Sequence, residues 1–118
     1  MRISERRAAQ TLLREWLSAE QQAQFDATKF FEVIGCHSGK RYRILYGTAT
    51  NIQELGDAGR PVRGWCFIPS GHLVAGDVML AQKIALEIDE RAALKIANEF
   101  PVRIPERNGA NALLWRAY

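Results

Sequence analysis

The stretch Gly76–Phe100, GDVMLAQKIALEIDERAALKIANEF, constrains the fold most, because its helical periodicity holds for three turns and then slips. Asp77 suits the start of a helix: its carboxylate accepts from free backbone N–H groups, and its charge suits the positive end of the dipole. Leu80, Ala81, Ile84, Ala85 and Ile88 then recur at i, i+3, i+4 spacing and form one apolar stripe. Continued at a helical period, that stripe would meet Arg91 and Lys95. A second stripe, Ala93, Ile96, Ala97 and Phe100, starts instead on a rotated face. The spacing predicts two helices with a break near Ile88–Asp89, Asp89 capping the second and Glu90 in its first turn. The alternative is one long helix buried on two sides, with Met79 and Leu86 against a second partner. Pro101 ends the helical run in both cases.

The other segments supply what this run packs on. Ser4 is placed to cap a first helix, with Ala9, Leu12, Leu13, Trp16 and Leu17 on one face. Ser18-Ala19-Glu20-Gln21 is a capping-box pattern and predicts a second, short helix over about 19–25. From Lys29 the period changes to two. Phe30–Cys36 and Arg41–Tyr46 read as strands around a turn at His37-Ser38-Gly39-Lys40. Asn51–Leu55 reads as a third strand, Gly56–Gly59 as a turn and Pro61–Pro69 as a fourth strand. Strands joined by short turns pair antiparallel, and helices grouped at both ends pack on one face. The expected fold is α+β: two N-terminal helices, a sheet of about four strands and two C-terminal helices. The open sheet face carries either Arg41 and Arg43 or Tyr42 and Tyr46, since a one-residue slip exchanges them.

At 118 residues the chain is expected to be one domain, with a core over about 4–100 and a tail over 101–118. The absence of a long apolar run or a signal-peptide opening points to the cytoplasm. There Cys36 and Cys66 are expected as free thiols. A net charge of +3 permits an acidic partner without requiring one.

No motif of known chemistry stands out. Cys36, His37, Cys66 and His72 are zinc-ligand types, but their spacing fits no standard finger or ribbon. A Cys/His nucleophile pair lacks a visible oxyanion donor or orienting group, and no Gly-x-Ser-x-Gly elbow is present. Asp77, Glu87, Asp89 and Glu90 read as capping or solvated carboxylates. No metal, cofactor or catalytic residue is therefore expected. Two binding readings remain. The first is a non-enzymatic protein-interaction module, a homodimer included, with Met79, Leu86 and Trp115 as candidate contact residues. The second is nucleic-acid binding through Lys40, Arg41, Tyr42, Arg43, Arg60 and Arg63, a basic sheet face interleaved with aromatic residues.

The strings GCHSGKRYRI (Gly35–Ile44), Asn51-Ile52, WCFIP (Trp65–Pro69) and GDVMLAQKIALEIDE (Gly76–Glu90) resemble a group of small uncharacterised bacterial proteins and domains in phage-related genes. The resemblance covers roughly residues 31–98. It implies a self-contained cytoplasmic domain and carries no activity or catalytic residue with it.

Overall fold

The computed structural model describes residues 3–68 and 74–101. Helices α1 (Ile3–Trp16) and α2 (Ala19–Thr28) precede strands β1 (Phe31–Ile34), β2 (Arg41–Ile44) and β3 (Ile52–Leu55). A 3-10 turn at Asp57–Gly59, strand β4 (Pro61–Cys66), helix α3 (Ala75–Ile96) and strand β5 (Asn98–Phe100) complete the described chain. The five strands form one sheet in the order β1-β2-β3-β4-β5, each antiparallel to the next. The fold is α+β, as the segment order implies.

The two helix entries differ in how they follow local chemistry. At α2 the capping box forms as the sequence requires: Ser18 Oγ accepts from the Gln21 N–H at 3.1 Å, and Gln21 Oε1 accepts from the Ser18 N–H at 3.0 Å. Ser4, expected as a cap, lies within α1, which runs from Ile3. Asp77 does not cap either: α3 begins at Ala75 after Val74, which leaves Asp77 in the first turn as a favourable charge.

The expected fourth helix is the end of α3. Asp89 has φ −147° and ψ 63°, which breaks the helix where the stripe slips phase, and a second helical segment follows across this kink to Ile96. Phe100 is not helical. It lies in β5 and pairs with Gly64, whose missing side chain leaves room for the Phe100 ring against β4. The sheet thus gains a fifth strand, in place of the last helical turn.

The registers pair Phe31 with Ile44, Val33 with Tyr42, and Ile44 with Ile52, which puts these side chains on one face. They are buried with Leu13, Leu17, Phe25, Met79 and Leu86. Glu32, Arg41, Arg43 and Gln53 alternate onto the other face. The register question is settled with Tyr42 inward and Arg41 and Arg43 outward.

Helix α1 lies against α3 at close range. A side chain at Gly76 would come within 2.7 Å of the Ala9 carbonyl, so only glycine lets the two backbones approach there. At the outer edge of the sheet, Gln21 Nε2 donates to the Glu32 carbonyl at 2.9 Å, and Gln24 Oε1 accepts from the Glu32 N–H at 2.9 Å. These two residues of α2 satisfy both outward backbone groups of Glu32 and blunt the β1 edge.

Candidate functional site

Two regions of α3 stand out, one on each side of it. The first is the junction between the break at Asp89 and the turn joining β1 to β2. A continuous helix would bond the Glu90 N–H to the Leu86 carbonyl. Here Cys36 is inserted between them. Its N–H donates to the Leu86 carbonyl at 3.1 Å, and its Sγ accepts from the Glu90 N–H at 3.4 Å. The next N–H, that of Arg91, donates to His37 Nδ1 at 3.0 Å. The turn thus takes over groups that the broken helix would leave unpaired.

The Glu90 side chain completes the junction. Its Oε1 accepts from the backbone N–H groups of His37 at 2.9 Å and Ser38 at 2.8 Å. Its Oε2 accepts from Ser38 Oγ at 2.5 Å and Tyr42 Oη at 2.6 Å. Glu90 is only 2% exposed. Any side chain on Gly35 would overlap the Glu90 carboxyl, so the turn passes over it at glycine. Gly39, at φ 75°, closes the turn in a left-handed conformation that suits glycine.

Burial alone would push the Glu90 carboxyl upward in pKa. The bonds from Ser38 Oγ, Tyr42 and the backbone of Ser38 and His37 outweigh it and bring the group down to about 2. Tyr42 moves the other way. Burial raises its phenol, and the bond to the Glu90 carboxylate raises it further.

Cysteine, histidine, serine, tyrosine and glutamate meeting in one place is the vocabulary of catalysis. The geometry assigns each of them to holding the turn. The Glu90 oxygens already accept four hydrogen bonds, which leaves them poorly placed to take a proton as a base. Ser38 Oγ donates to Glu90 and accepts from the Lys40 N–H at 3.0 Å. Cys36 and His37 accept from the helix backbone. Cys66 lies at the opposite end of the sheet, where its Sγ accepts from the Thr50 N–H, and His72 lies outside the described residues. Among the described residues no group of three or more His, Cys, Asp or Glu is placed to hold a metal ion.

The basic residues singled out in the sequence do not form one patch. Lys40 and Arg63 both reach the buried Glu54, at 3.5 and 3.8 Å, on the helix-facing side of the sheet. Arg41 and Arg43 lie on the other face and share Glu32, each at 3.5 Å. Arg43 also stacks on Phe30, 4.8 Å from the ring centroid. Arg60 follows the 3-10 turn, at the start of β4. Tyr42 is fully buried and cannot stack on a base; its hydroxyl is bound to Glu90.

The second region is the outer side of the helical layer. Met79 and Leu86, expected as contact residues, are fully buried and belong to the core. Trp115 lies outside the described residues. What α3 turns inward is Met79, Gln82, Lys83, Leu86, Glu90 and Ala93. The stripe centred on Ile84 faces out: Ile84 is 38% and Ile88 71% exposed, with Leu80 and Ala85 flanking them at the core margin. On α1, Ala9, Leu13 and Leu17 are buried, whereas Leu12 at 44% and Trp16 at 61% are exposed. Both exposed sets lie on helices of the same layer and point away from its core.

Polar partners explain why the polar side of α3 faces in. Gln82 and Asn51 form a reciprocal amide pair at 2.8 and 2.9 Å, and Gln82 also donates to the Phe67 carbonyl. Lys83 pairs with Glu87, which in turn accepts from Gln21. Every one of these inward groups has a dedicated partner.

Comparison with protein-family models, with curated proteins and with solved structures finds no match. No helix among the described residues is long and apolar enough to cross a membrane.

Proposed function

We propose that the chain is a non-enzymatic protein-interaction module whose contact face is the outer side of its helical layer, built from Ile84 and Ile88 of α3 with Leu12 and Trp16 of α1. One observation carries this reading: α3 buries Gln82, Lys83 and Glu90 while leaving Ile88 71% and Ile84 38% exposed. Isoleucine facing water gains nothing for the fold, and an apolar side chain left exposed on a helix is available as a contact for another protein. The commitment of Cys36, His37, Ser38 and Glu90 to one another supports the non-enzymatic part. The occupant this face suits is an amphipathic helix, because two helices interlock along such a stripe.

The test is a photo-crosslinking residue placed at Ile88 in the cell that makes the protein, with Gln22 as the control position on α2. A crosslinked protein partner, identified by mass spectrometry, is expected from Ile88 and not from Gln22. Equal yields from both positions, or none from Ile88, would remove the reading.

Nucleic-acid binding is the weaker alternative. Its residues divide between the two sheet faces, and four of them share the two carboxylates Glu32 and Glu54. A salt titration of oligonucleotide binding separates the two readings. A steep loss of affinity with salt would favour the basic face over the helical one.

A further inference from the structure

A sharp break in a helix has few causes: proline, glycine, or a group inserted into the hydrogen-bond ladder. From Asp77 to Ile96, α3 contains neither proline nor glycine, and most of its residues are good helix formers. Its buried side also keeps step across the break. Met79, Gln82, Lys83, Leu86, Glu90 and Ala93 recur at helical spacing on both sides of Asp89. Neither the local sequence nor the packing of the inner side requires the break. Insertion remains, and Cys36 occupies both halves of the missing bond. Its N–H donates to the Leu86 carbonyl at 3.1 Å, and its Sγ accepts from the Glu90 N–H at 3.4 Å. We propose that the break is a two-state switch held open by the β1–β2 turn. Cys36 is the wedge. When the turn withdraws, α3 closes into one continuous helix and shifts β5 at the far edge of the sheet.

The Leu86 carbonyl is the contested group. In the open state it accepts from Cys36. In the closed state it accepts from the Glu90 N–H, the bond that a regular helix makes. Sulfur is a weak acceptor, so the Glu90 N–H gains by that exchange. The rest of the turn holds the open state. The Glu90 carboxylate accepts from the backbone of His37 and Ser38 and from Ser38 Oγ, and the Arg91 N–H donates to His37 Nδ1. Two arrangements that satisfy the same helix groups in different ways are what a two-state element needs. The link to β5 follows from chain length. Only Ala97 separates α3 from β5, and β5 pairs with β4 at the edge of the sheet opposite β1. Closing the helix redirects its last two turns, and one residue of slack passes that movement to β5. The turn beside one edge strand thereby controls the pairing of the other.

The experiment is amide hydrogen exchange on the purified full chain, read by NMR. Cys36→Ala removes the sulfur acceptor and leaves the backbone of the turn intact. Gly35→Ala displaces the turn by another route, because a side chain there would lie 2.3 Å from the Glu90 carboxyl. In both variants the Glu90 amide is expected to exchange about fivefold more slowly and the amide at position 36 about fivefold faster. The backbone shifts at position 89 should become helical, and the β5 amides that pair with β4 should exchange faster. Opposite changes at 90 and 36 identify closure, since simple loosening of the turn would speed both. Asp89→Ala removes any preference of aspartate for the break and should leave position 89 non-helical, because the wedge is still in place. Faster exchange at both 90 and 36, or an unchanged Glu90 amide in both variants, overturns the proposal. So does a helical position 89 in Asp89→Ala while the amide at 36 keeps its parent rate. Unaltered β5 exchange in variants whose 90 and 36 amides move oppositely overturns the link to the sheet edge. None of these readouts depends on what binds the outer face of α3.

Discussion

The two sides of α3 differ in what they leave unexplained: the inner side buries polar groups beside its core residues Met79 and Leu86, and the outer side exposes isoleucine. The inward side carries Gln82, Lys83 and Glu90 among its buried residues, and the outward side carries Ile84 and Ile88. A polar group can be buried cheaply only when its partners are already in place. Gln82 has Asn51 and the Phe67 carbonyl, Lys83 has Glu87, and Glu90 has the whole β1–β2 turn. Each of these contacts is directional, so together they fix how α3 is rotated and how far it slides along the sheet. The outward side makes no such contact with the described chain. The inner side specifies the fold, and the outer side is left free for a partner. If that division is right, substitutions on the inner side cost stability and substitutions on the outer side cost association.

The largest effect is expected at Glu90. Glu90→Ala strips the acceptor from two backbone N–H groups, Ser38 Oγ and Tyr42 Oη at once, and leaves Tyr42 buried with an unpaired hydroxyl. The expected loss is roughly 3–5 kcal/mol in urea unfolding, a large share of what a domain of this size possesses. A loss below about 1 kcal/mol would mean that the turn is held by other contacts. The inner side of α3 would then lose its claim to specify the fold.

Acid should release the same junction by a smaller amount. The Glu90 carboxyl titrates at about 2 in the folded chain, against an ordinary value of 4.5. A depressed folded value stabilises the protein above the unfolded pKa and is lost as pH falls from about 4.5 through about 2. That corresponds to about 3 kcal/mol across the window. The measurement is stability against pH for the parent and for Glu90→Gln. The variant should start lower at neutral pH and lose the part of the acid slope that belongs to this group. Parallel curves would contradict the assignment.

Much of this architecture is written locally in the chain. The capping box at Ser18–Gln21 needs four residues to be read. The alternation through Phe31–Ile34 and Arg41–Ile44 defines paired strands without knowledge of the rest. The phase slip at Ile88–Asp89 points to the break, with one long helix buried on two sides as the alternative. What could not be read was which side of α3 faces the sheet. Hydropathy favours burying Ile84 and Ile88, and the opposite choice is made by partners distant in sequence: Asn51, Phe67 and the turn at Cys36–Ser38. The same reversal turns Met79 and Leu86 inward, where both are fully buried. Glu90 reads as a capping or solvated carboxylate from its place in the chain, yet one signal points elsewhere. If Tyr42 faces inward, its hydroxyl needs an acceptor, and a carboxylate just past a helix break is a natural one. The basic cluster failed differently. Sequence proximity joined Lys40 to Arg41 and Arg43, while the pleat sends alternate residues to opposite faces, each toward its own glutamate.

The smallest effect on stability tests the outer side. Ile88 is 71% exposed, so Ile88→Lys removes little buried surface and is expected to change unfolding free energy by no more than about 0.5 kcal/mol. The same substitution places a charge in the middle of the proposed contact face. Capture of a partner by this face should therefore weaken by about tenfold or more, while thermal and urea unfolding of the chain stay unchanged. This separation is what distinguishes a contact surface from part of the core. If Ile88→Lys instead destabilises the dilute chain by several kcal/mol, Ile88 is buried by the chain itself, and the outer side of α3 has a structural role after all. If neither stability nor association moves, the apolar stripe is a solvent face of no consequence, and the contrast between the two sides of α3 reduces to how the fold satisfies its buried polar groups.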